Sequence, residues 1–216
     1  MSHLKRQKVP KSWPIERKGT AYVVKPTSNL EESVPILIAL RDMLKLSQNR
    51  KEVKNAIHNK AILINSKLAR DDKNILSLFD ILTIIPIKKS YRLVLSERGK
   101  FEFEEVKENE ARKKIVKITN KKTLKGKKAQ LNLSGVYNFI SGIKCNVGDS
   151  VLIDLQNRKI EKCLPLKEKE KVIIFAGKHS GKSGVIEKLK LEKKMAKINS
   201  EDGPINVLIK QIMVVE

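Results

Sequence analysis

Two kinds of hydrophobic pattern follow one another along this 216-residue chain. Between residues 34 and 58, apolar side chains recur every three or four positions, which is typical of amphipathic helices. After residue 60 the apolar residues come in short runs, many alternating with polar residues and separated by turn residues, which predicts β-strands. Residues 1–32 show neither period. The pattern predicts an α+β protein, mostly β, with two helices near its start.

Local signals place the ends of the two predicted helices. The first helix, in VPILIALRDMLK, has Ser33 as its predicted N-cap and Pro35 in its first turn. The second follows a break at residues 47–49, where Asn49 and Glu52 have the spacing of a capping pair. We expect the apolar faces of both helices to point inward and their basic faces to point outward.

The β region begins with AILIN at residues 61–65, for which we predict a turn at Ser66-Lys67. Further short strands are expected around Asp80, followed by a hairpin that turns at residues 97–99. Residues 112–128 hold nine Lys or Arg and no acid, and we interpret them as exposed turns between short strands. Additional strands are predicted at residues 129–133, 150–155 and 159–164. After residue 167 we expect a glycine-rich hairpin, a Lys-rich strand pair near residues 188–198, and a terminal strand at residues 205–209 and 212–215.

The charge balance indicates the class of partner. The chain has 46 Lys and Arg against 24 Asp and Glu, and the resulting net charge of +22 favours a polyanion. Its apolar runs are too short to span a bilayer, and its basic N-terminus lacks the apolar core of a signal peptide. We therefore expect nucleic acid, and no membrane, as the partner.

The cysteines and histidines give no sign of a metal or cofactor site. Cys145 and Cys163 are isolated and lack a metal-ligand spacing, so reduced thiols are expected. His3, His58 and His179 lie far apart in the sequence. We predict no metal, no cofactor and no small-molecule substrate.

The stretch VIIFAGKHSGKSGVIEKL at residues 172–189 predicts a strand, a basic glycine-rich turn and a second strand. It ends its turn in Gly-Lys-Ser like a nucleotide-binding P-loop, but only three residues separate Gly177 from Gly181, where that loop needs four. A P-loop also opens a helix, whereas β-branched residues follow Gly184 here. The spacing resembles instead the KOW motif, a hairpin of an SH3-like barrel found in ribosomal and transcription-elongation proteins.

The stretch NKAILINSKLARDDKNILSLFDILTI, with the two helices before it, resembles the small RNA-binding module first seen in ribosomal protein four. The family turn has Gly after the Asn, where this chain has Ser66. The opening HLKRQKVPKSWPI, this module, a central VGDSVLIDL and the KOW hairpin occur in one order. That order resembles the small-subunit ribosomal protein four-e family of archaea and eukaryotes, and the chain is more similar to archaeal members.

The resemblance implies four parts and a function. The expected parts are a basic N-terminal arm (1–32), the ribosomal-protein-four-like module (33–96), a central β domain (97–166) and a KOW SH3-like barrel (167–216). The implied function is that of a cytoplasmic, non-catalytic constituent of the small ribosomal subunit that binds ribosomal RNA and neighbouring ribosomal proteins. Two alternatives remain open, an RNA-modifying enzyme such as a pseudouridine synthase, which can carry the same module, and a KOW-type transcription factor.

The arm itself allows two interpretations. A disordered tail has little use for Trp13 and Ile15, so we favour an arm that orders against its own globular part or on RNA.

The candidate RNA-binding residues are the basic side chains of the arm, the two-helix module, residues 112–128 and the KOW turn. They are Lys5, Arg6, Lys8, Lys11, Arg41, Lys45, Arg50, Lys51, Lys54, His58, Lys60, Lys67, Arg70, Arg112, Lys113, Lys114, Lys121, Lys122, Lys125, Lys127, Lys128, Lys178, His179 and Lys182.

Overall fold

The computed structural model describes residues 3–107, 110–124, 129–135, 137–190 and 192–215. Short strands dominate it, and the predicted α+β, mostly β class is confirmed. The chain divides into two compact units, one made of Met1–Ser96 with Lys100–Arg112 and the other of Glu97–Gly99 with Lys113–Glu216. The four sequence-based parts stay predictions. Within the described ranges, no helix is long and apolar enough to cross a membrane.

The first unit holds the two helices and three small sheets. Its sheets have the strand orders β1-β2, β3-β6 and β5-β4-β7-β8-β9. The elements are β1 (Leu4–Lys5), β2 (Tyr22–Val23), β3 (Ser33–Pro35), α1 (Ile36–Ile38) continued by a π turn (Ala39–Met43), α2 (Arg50–His58), β4 (Ile62–Ile64), β5 (Lys67–Leu68), β6 (Ile75–Ser77), β7 (Ile81–Ile84), β8 (Lys89–Leu95) and β9 (Phe101–Val106), with 3-10 turns at Arg6–Lys8 and Glu110–Arg112.

The first helix begins later than the sequence predicted. Ser33 is not its N-cap, because Ser33–Pro35 is a strand that pairs with β6 in the register Val34↔Leu76. The Ser33 hydroxyl donates to the carbonyl of Asn29 instead, and the helix starts at Ile36 without a side-chain cap. Tertiary strand pairing thus satisfies backbone groups that a longer helix would have used.

The second helix follows the sequence prediction. The Asn49 side chain accepts from the amide of Glu52 at 3.0 Å, and the Glu52 carboxylate accepts from the amide of Gln48 at 2.7 Å. Val53 and Ile57 are buried. This local cap and the inward apolar face fix which side of α2 meets solvent.

The turn between β4 and β5 lies one residue earlier than predicted, at Asn65-Ser66. Both residues have positive φ, 48° and 63°, as a two-residue type I′ hairpin turn requires. The Asn65 amide donates to Asp80 Oδ1 at 2.6 Å, and Asn65 Oδ1 accepts from the amide of Ile81 at 2.9 Å. These bonds hold Asn65 in the left-handed region, and Ser66 adopts the positive φ of the glycine that is usual at its position.

The N-terminal arm folds against its own unit. β1 pairs with β2, and Leu4 and Val9 are buried. The Trp13 ring is only 2% exposed, and its Nε1 donates to the carbonyl of Ser33 at 2.8 Å. The arm is therefore not a disordered tail: it orders against its own globular part.

The second unit consists of two five-stranded sheets, with the orders β12-β11-β10-β13-β14 and β18-β17-β16-β15-β19. The predicted hairpin around the glycine-rich turn is confirmed as β15 and β16. The elements are β10 (Lys113–Thr123), β11 (Ala129–Leu133), β12 (Asn138–Ser141), β13 (Ser150–Asp154), β14 (Lys159–Leu164), β15 (Lys171–Ile174), β16 (Ser183–Lys190), β17 (Met195–Ser200), β18 (Gly203–Leu208), a 3-10 turn (Ile209–Gln211) and β19 (Ile212–Val214).

Within its described residues, 112–124, the basic stretch 112–128 is not the set of exposed turns that its sequence predicted. Lys113–Thr123 forms one 11-residue strand in the middle of its sheet, pairing first with β13 and then with β11. Val116 and Ile118, between the lysines, are 1% and 0% exposed and belong to the core. Burial of these two side chains makes the segment a central strand despite its charge.

Replacement of Gly184 by Ala tests the close packing of β16 on β17. A Cβ at Gly184 would press on the carbonyl oxygen of Asn199 and lie 2.7 Å from Ile198 Cγ2, so backbone must shift. We expect Gly184→Ala to lower the free energy of unfolding by about 1–3 kcal/mol. Urea denaturation followed by circular dichroism measures this.

The control is Gly142→Ala, because no described atom beyond its two chain neighbours lies within 4 Å of a Cβ built there. Equal unfolding midpoints for the two variants would show that the sheet absorbs the added methyl group.

Candidate nucleic-acid interface

The outer face of α2 presents a row of exposed basic side chains. Lys51, Lys54 and His58 are spaced three and four residues apart and all are exposed. Because Val53 and Ile57 pack inward, helical periodicity directs these three side chains to solvent. We call Lys51, Lys54 and His58 the α2 basic face.

The segment after α2 adds further exposed cations to the same unit. Lys60 lies at the end of the helix, where a positive φ of 55° turns the chain into β4. Lys67 in the β4–β5 hairpin and Arg70 just after it are exposed, and so is Lys45 before α2. The structure thus leaves these four side chains accessible to a partner.

Arg50 and Arg41 are already paired with acids. Arg50 Nε lies 2.6 Å from Asp72 Oδ2, and this hydrogen bond raises the pKa of Arg50. Burial works to raise the pKa of Asp72, but the hydrogen bond from Arg50 and the nearby positive charge of Arg50 and Lys54 lower it overall. Arg41 pairs with Asp42 at 2.8 Å. Both arginines therefore have a structural role within the unit.

The arm's basic residues divide in the same way. Lys5, Lys8 and Lys11 are exposed. Arg6 instead donates to the carbonyls of Thr20 and Glu16, each at 2.7 Å. Its guanidinium thus braces the arm.

Two lysines of the basic strand β10 are buried. Lys114 is 4% exposed, with its Nζ 5.2 Å from the centroid of the Tyr137 ring. The expectation that Lys114 belongs to an exposed phosphate-binding surface is therefore wrong. The alternation of strand side chains turns Lys114 inward, a direction that its charge alone does not reveal.

Lys117 is held inside the second unit. It is 5% exposed, and its Nζ donates to the carbonyls of Ile209 and, at 2.6 Å, of Ile212. The Phe175 ring centroid lies 5.8 Å from the same atom. Burial lowers the pKa of Lys117 to about 8.

The other described candidates in this stretch lie outside that core. Arg112, Lys113, Lys121 and Lys122 are exposed, although Lys113 pairs with Glu161 at 2.8 Å. Lys125, Lys127 and Lys128 fall outside the described residues.

The glycine-rich turn is built by its own backbone bonds. Gly177 and Gly181 have φ of 92° and 94°, which glycine adopts without strain. The amides of Ser180, Gly181 and Lys182 donate to the carbonyls of Gly177, Ile174 and His179. These amides are therefore not available to cradle a phosphate as in a P-loop, and Ser183–Lys190 continues as a strand.

The side chains of this turn differ in their freedom. Lys178 is exposed, while His179 and Lys182 are half-buried. Lys182 forms an ion pair with Asp202 and lowers the pKa of that carboxyl through their hydrogen bond. Lys178 is consequently the most accessible cation of the turn.

A cleft of about 700 Å³ in the first unit brings together residues that are not among the candidates predicted from the sequence. Tyr22, Lys25 and Lys73 line it, together with Arg6, Arg41 and Arg50. Their scattered positions in the chain gave no local signal that they meet. Among the described residues, no group of three or more His, Cys, Asp or Glu is arranged to hold a metal ion.

Comparison with known proteins now identifies the family. The model of the ribosomal family S4e matches residues 87–160, and that of the RS4NT domain matches residues 2–28. The small ribosomal subunit protein eS4 of Methanocella arvoryzae is 32% identical over 99% of this chain and 94% of its own length. The chain belongs to the ribosomal S4e family. The resemblance inferred from sequence is thereby confirmed.

Other S4e proteins agree with this assignment. The small ribosomal subunit protein eS4 of Nanoarchaeum equitans is 35% identical over 87% of this chain and 82% of its own length. The crystal structure of the 30S ribosomal protein S4e from Thermoplasma acidophilum has a TM-score of 0.74 at 24% identity, covering 86% of this chain and 95% of that one. This likeness shows that the S4e fold is shared.

Buried Lys117 predicts a pH dependence of stability. Its pKa is about 8 in the folded chain and near 10.5 when exposed, so the unfolded state holds more protons between these values. Its contribution to the free energy of unfolding should therefore rise as pH increases from about 8 towards 10.5. Urea unfolding of the wild-type protein and Lys117→Met across this pH range measures the difference.

The exposed Lys122 on the same strand supplies the control. Lys122→Met should unfold in parallel with the wild-type protein at every pH, while Lys117→Met loses the rise. Parallel curves for Lys117→Met would mean that Lys117 stays charged in the folded state.

Proposed function

We propose that this chain is a structural protein of the small ribosomal subunit that binds ribosomal RNA and acts in the cytoplasm. The observation that carries the proposal is the α2 basic face, which is exposed on a folded support in a member of the S4e family. Its Lys51 and Lys54 project from a capped helix, so they offer positive charge in a fixed position.

The proposed mode of binding is neutralisation of phosphates with recognition of RNA shape. Lysine contacts to phosphate fix the position of a protein on RNA but carry little sequence information. Folded RNA presents phosphates and 2′-hydroxyl groups in a defined arrangement, and a rigid basic surface can match that arrangement. Neighbouring ribosomal proteins are the second class of partner that we propose.

The two alternative functions lack support. The relatives described above are ribosomal proteins by name, and none is an RNA-modifying enzyme or a transcription factor. The glycine-rich turn uses its amides for its own fold, so it does not support nucleotide hydrolysis. A non-enzymatic role is therefore proposed.

Replacing Lys51 and Lys54 with Ala should weaken binding to small-subunit ribosomal RNA. Each of the two lysine–phosphate interactions removed should flatten the slope of log affinity against log salt concentration by about 0.7 to 0.9. Filter binding at several salt concentrations measures both effects.

The matched control replaces Lys88 and Lys107, two exposed lysines of the same unit outside the candidate set. This pair removes the same charge. If the α2 basic face is the specific RNA-binding surface, the control variant should have a salt slope close to that of the wild-type protein. Equal salt slopes for the two double variants would show that the α2 basic face is an ordinary solvated surface.

Incorporation into small subunits tests the proposed function more directly. The tagged chain, expressed in an archaeon that has its own S4e protein, should sediment with small subunits and remain there at high salt. Lys51→Ala/Lys54→Ala should be under-represented in those particles. Recovery of the wild-type chain mainly with RNA polymerase or as a free protein would contradict the proposal.

A further inference from the structure

The 700 Å³ cleft in the first unit has a composition suited to a nucleotide. One wall is the β1–β2 ribbon, and the other comes from Leu37 and Arg41 of the first helix, Arg50 at the start of α2, and Lys73. Of the described residues that line it, five are Lys or Arg and none is Asp or Glu. Clefts of this size hold ligands as large as one nucleotide.

The cations of the cleft are not equally available. Arg41 and Arg50 are each paired with an aspartate. Arg6 meets neutral oxygens in the bonds described above and donates a third to Thr20 Oγ1 at 2.8 Å. These neutral partners fix the position of the guanidinium without cancelling its charge. Arg6 can therefore bind an anion through its remaining N–H groups.

A glycine completes the setting of Arg6. Gly19 has a φ of 129°, and a Cβ built on it would lie 3.4 Å from the Arg6 Cζ and Nη2 atoms. Because a φ in this region is strained for residues that carry a side chain, glycine is what allows the 16–20 loop to close around the guanidinium. The three hydrogen bonds hold the cation at the cleft.

An exposed aromatic ring lies in the same cleft. Tyr22 is 58% exposed, in a chain that has only one tryptophan, three tyrosines and five phenylalanines. Its ring packs against His3, with centroids 5.4 Å apart and planes tilted by 52°. An exposed tyrosine among cations is the arrangement with which proteins stack an unpaired base beside its phosphate.

We propose that this cleft binds one unpaired nucleotide of an RNA strand, with the base stacked on Tyr22 and the phosphate held by Arg6 and its neighbouring cations. The inference rests on the proposed RNA-binding function and adds a site for single-stranded RNA to the α2 basic face. An acidic peptide would satisfy the cations but gain little from the exposed ring, so the aromatic side chain favours RNA.

The test compares single-stranded oligouridylate with a fully paired RNA duplex, using the full-length chain and fluorescence anisotropy. Tyr22→Ala should weaken binding of the single strand about tenfold, within the range measured for removal of one base stack. Tyr22→Phe keeps the ring and should bind like the wild-type protein. Binding of the duplex should not change in either variant.

A second pair of variants examines the cations. Lys73 lines the cleft, so Lys73→Ala should weaken single-strand binding. Lys88→Ala removes an equal charge outside the cleft and should weaken it less. Fluorescence of Trp13, which is buried in the same unit, verifies that each variant keeps its fold.

The outcomes separate this inference from the proposed function. If Tyr22→Ala binds the single strand normally while Lys51→Ala/Lys54→Ala still binds ribosomal RNA weakly, the nucleotide site is wrong and the proposed function stands. If the wild-type chain binds none of these RNAs, the proposed function fails as well. Displacement of the oligouridylate by a polyglutamate peptide, with no effect of Tyr22→Ala, would show a site for acidic chains and overturn the inference.

Discussion

A chain of hydrogen bonds through the short strand β3 holds the first unit together. Trp13 donates to the carbonyl of Ser33, and Ser33 pairs in register with Ser77 on β6. The Ser77 amide donates to Asp80 at 2.6 Å, and Asp80 accepts from Asn65. Because most of these groups are buried, removal of one partner would leave another polar group unsatisfied. The arm, the first helix and the β4–β5 turn all depend on this line of hydrogen bonds.

That arrangement explains how so basic a chain can present defined surfaces. Some cations are neutralised or held by the fold, as Arg50 is by Asp72 and Lys117 is by two carbonyls. Others, such as Lys51 and Lys54, are held outward by a helix whose opposite face is buried. Net charge alone attracts RNA over long distances, but only fixed cations can match a particular arrangement of phosphates.

The two proposed RNA-binding surfaces use different physics. The α2 basic face offers charge on an open surface, so its binding should depend strongly on salt. The cleft around Arg6 and Tyr22 adds an aromatic surface, and stacking depends less on ionic strength than a phosphate interaction does. Both surfaces rely on the folded arm or its supporting helices, so RNA binding and the stability of the first unit are coupled.

The sequence by itself determined the features that arise from near neighbours. The capping of α2 by Asn49, with Glu52 as its partner, and the positive φ of Gly177 and Gly181 in the glycine-rich turn are local features, so residue type and spacing predicted them correctly. The family resemblance likewise came from the order of motifs along the chain. The candidate cations could also be named from the sequence, because residue type alone gives their charge.

Only the tertiary structure decided which of those cations reach solvent and which distant residues meet. Lys114 faces inward because β10 is a central strand, and Ser33 joins β6 instead of capping a helix. The cleft brings Arg6 and Tyr22 beside Lys73, which is remote in sequence, because the arm packs back on its own unit. Such outcomes depend on pairing and burial across long separations in the chain, and residue type and local spacing do not encode them.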